Sequence, residues 1–184
     1  MKKLILMTIL IVLIAGCTSS DPYHKSFAGL NLEFRANLDE AENVTVYPNE
    51  TILKNILLSD DVKEIGIAYI PNDTENSFYY ADSYELAYKL TIINRYYFNK
   101  TKIIDSLPLN FSSNAFDKAS SQRPVILLLG QSQTNITSIE VYPTSYVIIL
   151  KGKSFQEAEL NRTYTDLDLA TDKLLLVLMK ESST

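Results

Sequence analysis

Pro124-Val-Ile-Leu-Leu-Leu-Gly130 is an unbroken apolar run that ends in glycine, and Gln131-Ser-Gln-Thr-Asn135 follows it. An apolar run of this length reads as a strand covered on both faces, and the crevice beyond the carboxyl end of such a strand is where open α/β sheets hold ligands. Gly130, Gln131, Gln133 and Asn135 are therefore the candidate ligand loop. Its chemistry would be hydrogen bonding to a small polar ligand. Gly130 stands alone, without the glycine spacing that cradles a pyrophosphate, and no Gly-Lys-Ser/Thr occurs. Asp166, Asp168 and Asp172 offer oxygens near the start of the last helix, but acids in a first turn answer the helix dipole, and no metal is expected there. Asp60, Asp61 and Glu64 supply the carboxylates that a glycosidase sets about 5–10 Å apart, and read as solvated charge ahead of a buried strand. With His24 and Cys17 the single His and Cys, there is no Cys/His zinc set, no disulfide, and no Ser-His-Asp triad that does not use His24. His24 falls in a polar stretch seven residues beyond Cys17. The rings of Tyr79, Tyr80, Tyr84, Tyr96 and Tyr97 have faces on which sugars stack. The expectation is that they pack the core and send their hydroxyls to its rim. No catalytic residue and no cofactor is assigned.

The elements that must position these residues fit one domain. The chain has 184 residues, 46% of them hydrophobic, enough apolar surface to offset chain entropy. A net charge of −5 and a pI near 4.9 exclude a nucleic-acid binder, which needs a basic face.

Lys2 and Lys3 precede an uncharged run that stops at Gly16-Cys17, the pattern of a signal peptide. From Leu4 to Gly16 a helix would span about 20 Å, short of the roughly 30 Å hydrocarbon core. Leu13-Ile14-Ala15-Gly16-Cys17 resembles the lipobox of prokaryotic lipoproteins, with Ile14 in place of the commoner Leu. The resemblance implies cleavage after Gly16, lipidation of Cys17, and anchoring of the exported protein on the outer face of the cytoplasmic membrane. Stable anchoring needs two chains, since one holds only marginally. Cleavage removes two Lys and no acid, so the net charge moves from −5 to −7.

Asn-X-Ser/Thr occurs at Asn43, Asn49, Asn72, Asn99, Asn110, Asn135 and Asn161. Random placement of 13 Asn among 31 Ser and Thr gives about two such sites, so the excess predicts N-glycosylation and places these Asn on exposed loops or element ends. A lipobox together with dense sequons fits an archaeal cell-surface lipoprotein.

Along the chain, residues 1–16 read as signal peptide, 17–26 as lipidated tether and 27–184 as one α/β domain. Leu30, Leu32 and Phe34 alternate with polar residues as in a half-buried strand, and Val44–Tyr47 gives a second. Asn49 is a helix N-cap before the stripe Ile52, Leu53, Ile56 and Leu57. Glu64–Ile70 is a buried strand, and from about Ser83 to Tyr97 the period becomes helical, with Glu85 and Lys89 paired on a polar face. Strands follow over 102–109 and 124–130, with a loop and one turn near Phe116 between them. Ser138–Tyr142 and Tyr146–Lys151 form a hairpin, and a last helix starts at Thr165 or Asp166 with Leu167, Ala170, Leu174, Val177 and Leu178 toward the core. The alternation predicts a mixed sheet packed by two or three helices.

The order of the Pro124–Gly130 strand, a following Asn, a hairpin with Gly152 and a helix holding Asp168-Leu-Ala-Thr-Asp172 resembles the tail domain of archaeal S-layer-type surface proteins, over roughly 124–180. That resemblance implies a surface role and a compact α/β domain; the partners expected are membrane lipid through Cys17 and envelope or S-layer proteins. The reading favoured is a non-enzymatic interaction or envelope module. Its rival is a small-ligand binder or hydrolase using the loop after Gly130.

Overall fold

The computed structural model describes residues 21–72, 74–99, 102–109, 114–154 and 164–180. The signal segment, Cys17 and the sequons at Asn110 and Asn161 lie outside the described residues. In chain order the elements are β1 (His24–Phe27), β2 (Leu30–Glu33), α1 (Leu38–Ala41), β3 (Thr45–Tyr47), α2 (Glu50–Leu57), β4 (Glu64–Tyr69), α3 (Asn76–Phe98), β5 (Ile103–Pro108), α4 (Ala115–Lys118), β6 (Val125–Leu129), β7 (Ser138–Tyr142), β8 (Val147–Lys151) and α5 (Asp166–Met179).

Six strands form one sheet in the order β3-β7-β8-β6-β4-β5, antiparallel at β7-β8 and parallel elsewhere. The protein is thus one α/β domain with a mixed sheet, as its pattern of elements predicts. Successive residues of a strand face opposite sides, and the central strands are apolar on both. Ile65, Ile67, Ile126, Leu128, Ile148 and Leu150 join the large core with α3 and α5, while Ala68, Val125, Leu127, Val147 and Ile149 form a smaller cluster with α4.

Side-chain caps start α2 and α5, the first at Asn49 as the sequence predicts. The Asn49 side chain accepts the Ile52 N–H at 3.0 Å to cap α2. Thr165 and Asp168 close a reciprocal capping box at the start of α5.

The N-terminal boundary differs from the sequence reading. His24 and Lys25, placed in the tether, belong to β1, which pairs with β2 through a two-residue turn at Ala28 and Gly29, both with positive φ (53° and 76°). Phe27 is buried against the rings of Tyr96 and Tyr97, and Tyr23 meets Tyr164 edge-on. The folded unit therefore begins before position 27.

α3 begins seven residues earlier than Ser83, at Asn76. The largest departure is α5. Every residue from Asp166 to Met179 is buried, so the helix has no solvent face. It lies against β7 and β8 on one side and against α1, α2 and α3 on the others.

Candidate functional site

From β4 the chain runs outward to β5, and from β6 it runs the other way to β7 and β8, so the loops after Tyr69 and Leu129 part at the switch point of the sheet. The Gly130 loop stands there, as its sequence position predicts, but its polar groups are used inside the protein. The Gly130 N–H donates to the Tyr79 hydroxyl oxygen at 3.0 Å and to Gln133 Oε1 at 3.2 Å. Buried Glu75 accepts from the Ser132 N–H at 3.0 Å and hydroxyl at 2.9 Å, and its Oε2 lies 2.7 Å from the Tyr79 oxygen. Burial, with the Glu75 carboxylate beside it, pushes the Tyr79 phenol above its ordinary range and keeps it protonated. Tyr79 stacks on Tyr69 with ring centroids 5.5 Å apart. Gln131 and Asn135 are exposed at the rim and Gln133 is half-buried. Glu75, the N-cap of α3, and Tyr79 in its first turn bind the polar groups of the loop's turn.

The carboxylates considered as a glycosidase pair have different settings. Asp60 and Asp61 are exposed, while Glu64 holds Arg123 at 2.7 Å and Arg123 reaches Asp105 at 3.0 Å. His24 lies 2.9 Å from Asp21 at the start of the hairpin.

A denser set of ionisable groups lies between α3 and α5. Asp82, Glu85 and Lys89 recur at helical spacing on α3, and Asp168 and Asp172 are one turn apart on α5, all five buried. Arg35, just past β2, donates from Nε to Asp168 Oδ1 at 2.5 Å and stands 3.9 Å from Glu85 Oε2. Lys89 donates to Glu85 Oε1 and lies 3.8 Å over the Phe34 ring. The Ala36 N–H donates to Asp172 Oδ2 at 2.7 Å. Burial, reinforced by Asp168 and Glu85, pushes the Asp82 carboxyl well above the usual range, and burial with Glu85 does the same to Asp172. The sequence reading put Glu85 and Lys89 on a polar face and took Asp168 as a helix-start residue. Asp168 does cap its helix, but the structure also joins it to the α3 pair. The missed signal is Asp82-x-x-Glu85-x-x-x-Lys89, three ionisable residues on one face of an otherwise Tyr- and Leu-rich helix.

Above this cluster runs an open groove of about 770 Å³ between the hairpin and α3. Tyr23, Phe34, Tyr84 and Tyr88 line it, and Arg35, Glu85 and Lys89 bring charge to it. The expectation that the tyrosines pack the core holds for Tyr79, which is fully buried. It fails for Tyr80 at 59% exposure, Tyr84 at 76% and Tyr96 at 48%. Tyr80, Tyr84 and Tyr88 repeat every four residues and form an exposed aromatic stripe along α3.

Of the five sequon asparagines among the described residues, Asn43, Asn49, Asn99 and Asn135 are exposed and Asn72 is half-buried. Asn94, the one buried Asn among the described residues, is followed by Arg-Tyr and is no sequon. No helix among the described residues is long and apolar enough to cross a membrane.

No protein-family model, no curated protein and no solved structure matches the chain.

Proposed function

We propose that the protein is a membrane-anchored, N-glycosylated cell-surface lipoprotein of an archaeon, held through lipid on Cys17, and that its domain is a non-enzymatic module that contacts other envelope components, S-layer-type proteins among them. The observation that carries the binding role is the groove between the hairpin and α3. Large rings exposed in register beside charged groups make a surface suited to recognition, because each ring offers broad apolar contact and a hydroxyl for a hydrogen bond. The turn after β6 argues in the same direction, since the Gly130 and Ser132 N–H groups are already bound to Tyr79, Gln133 and Glu75. Exposed sequons keep glycans off the core, and the acidic balance suits a protein that works outside the membrane without nucleic acid.

The experiment is fractionation of native cells expressing wild type, Cys17→Ser or Tyr84→Ala/Tyr88→Ala. Wild type should sediment with membranes and carry envelope proteins through detergent extraction. Cys17→Ser should be released or remain unprocessed. The double tyrosine variant should stay in the membrane, keep its melting temperature and lose the co-purifying envelope proteins. A tyrosine variant that retains them all would overturn the groove as the contact surface.

A further inference from the structure

We propose that the carboxylates of Asp82, Glu85 and Asp168, with the hydroxyl of Thr171, form a binding site for one Ca²⁺ ion between α3 and α5. One oxygen from each carboxylate lies within 4.8 Å of the others. Opposite ligands around Ca²⁺, at 2.3–2.6 Å each, stand about 5 Å apart, so the three fit one coordination sphere.

Beside the three carboxylates stand buried oxygens that lack hydrogen bonds. Asp82 is fully buried, and neither of its carboxylate oxygens has a hydrogen-bond partner. Thr171, fully buried on α5, brings its hydroxyl to the Asp82 carboxyl, but the two make no hydrogen bond of normal geometry. Glu85 Oε2 has Arg35 Nε only at 3.9 Å, beyond hydrogen-bond reach, and Asp172 Oδ1 makes no hydrogen bond of normal geometry. Buried polar atoms are nearly always satisfied, and a group of them left without hydrogen bonds of normal geometry is a setting that an ion completes. Asp168 accepts from Arg35 and Thr165, but a carboxylate has about four lone-pair positions and retains capacity for a cation.

Charge balance points the same way. Asp82 and Glu85 on α3 and Asp168 and Asp172 on α5 face Arg35 beside the hairpin and Lys89 on α3. With all four carboxyls ionised the group carries −2, which one divalent ion neutralises in place of the protons that burial otherwise holds on Asp82 and Asp172. The donors are all oxygen, the set that hard cations take. Ca²⁺ accepts an irregular cage of protein oxygens, whereas Mg²⁺ demands a near-ideal octahedron and keeps several waters, for which a buried helix interface has little room. The groove reaches Glu85 and gives an ion its path from solvent.

The test uses the full-length chain purified in detergent, stripped with EGTA and titrated with CaCl₂, with Tb³⁺ luminescence excited through tyrosine as an independent readout. One ion should bind per chain, and at a hundredfold excess over Kd the melting temperature should rise by about 5–10 °C. Asp82→Asn should abolish both signals, and Thr171→Val should weaken binding about tenfold while the protein folds normally. Asp117→Asn, an exposed acid on α4, should change neither. If CaCl₂ shifts no melting temperature, Tb³⁺ shows no saturable signal, and Asp82→Asn melts higher than wild type in EGTA, protons rather than a cation balance the cluster and the proposal is overturned. Elemental analysis after equilibrium dialysis gives the stoichiometry directly, and a value near zero in the wild-type chain also overturns it.

Discussion

Arg35 and Asp168 stand 133 positions apart in the chain, and Arg35 Nε meets Asp168 Oδ1 at 2.5 Å. The pair ties the N-terminal hairpin to a helix with no solvent face. Asp168 is fully buried while the Arg35 side chain is 39% exposed, so the guanidinium holds a carboxylate that water does not reach.

Removing that cation leaves the carboxylate without its principal partner. Arg35→Met keeps most of the side-chain stem and should destabilise the domain by about 2–3 kcal/mol in urea titration, less than the 3–5 of a fully buried pair because solvent screens the open side. An unchanged midpoint would show that the pair contributes nothing net.

Truncation now has a different expectation from the one a tether ending near Lys25 suggests. A chain that starts at Asp21 should melt like the mature protein. One that starts after Lys25 loses Tyr23, whose carbonyl accepts the Phe34 N–H at 2.7 Å, and half of β1. That shorter chain should melt lower by about 5 °C or more. Equal melting temperatures for the two would return β1 to the tether.

Much of the sheet was legible because its signals are local. Val125–Leu129 reads as a doubly covered strand from five consecutive apolar residues, and Asn49 reads as a cap from its place before an apolar stripe. β1 was not legible, since His-Lys-Ser-Phe has no apolar alternation and earns its strand only by pairing with β2. The α5 sequence Asp-Leu-Asp-Leu-Ala-Thr-Asp-Lys reads as amphipathic, with a wet acidic face. That face is dry because distant segments bring Arg35, Lys89 and the Ala36 N–H to it, and no local pattern encodes such an encounter. The Gly130 loop is legible at the right end of the sheet, but sequence spacing cannot reveal that Tyr79, 51 positions earlier, binds its turn.

Close packing at the β8-to-α5 connection gives a third expectation. A Cβ on Gly152 would stand 2.4 Å from the backbone nitrogen of Leu167, and backbone cannot swing aside as a side-chain tip can. Gly152→Ala should cost about 3 kcal/mol, at the upper end for overpacking. Leu128→Ala and Leu174→Ala, at fully buried positions, should cost about 2–5 kcal/mol through lost contacts and cavity formation. Chemical denaturation checks all three, and a Gly152→Ala midpoint equal to wild type would mean that the connection relaxes freely.

Acid should weaken a second charged group. Lys173, buried on α5, reaches Glu50 Oε1 at 2.7 Å and Glu42 Oε2 at 3.2 Å, and Lys180 joins both acids. Partial burial opposes ionisation of Glu42 and Glu50, but hydrogen bonds and charge from the two lysines prevail and hold both carboxyls below their ordinary range. Their folded pKa values lie below the unfolded ones, so the stability they contribute is present above about pH 4.5 and is lost as the pH falls through the folded values. Urea midpoints measured from about pH 7 to about pH 3 should decline on the acid side, and Glu50→Gln should flatten that decline. A Glu50→Gln profile parallel to wild type would remove Glu50 from the linkage.

The intact mass of the protein taken from native membranes tests the whole account most directly. Lipidation and glycosylation together predict a chain that begins at Cys17, carries at least two acyl or isoprenoid chains on that residue, and shows a ladder of glycan masses distributed over the sequons. A single unmodified mass, with residues 1–16 still attached and no sugar on any sequon, would contradict it.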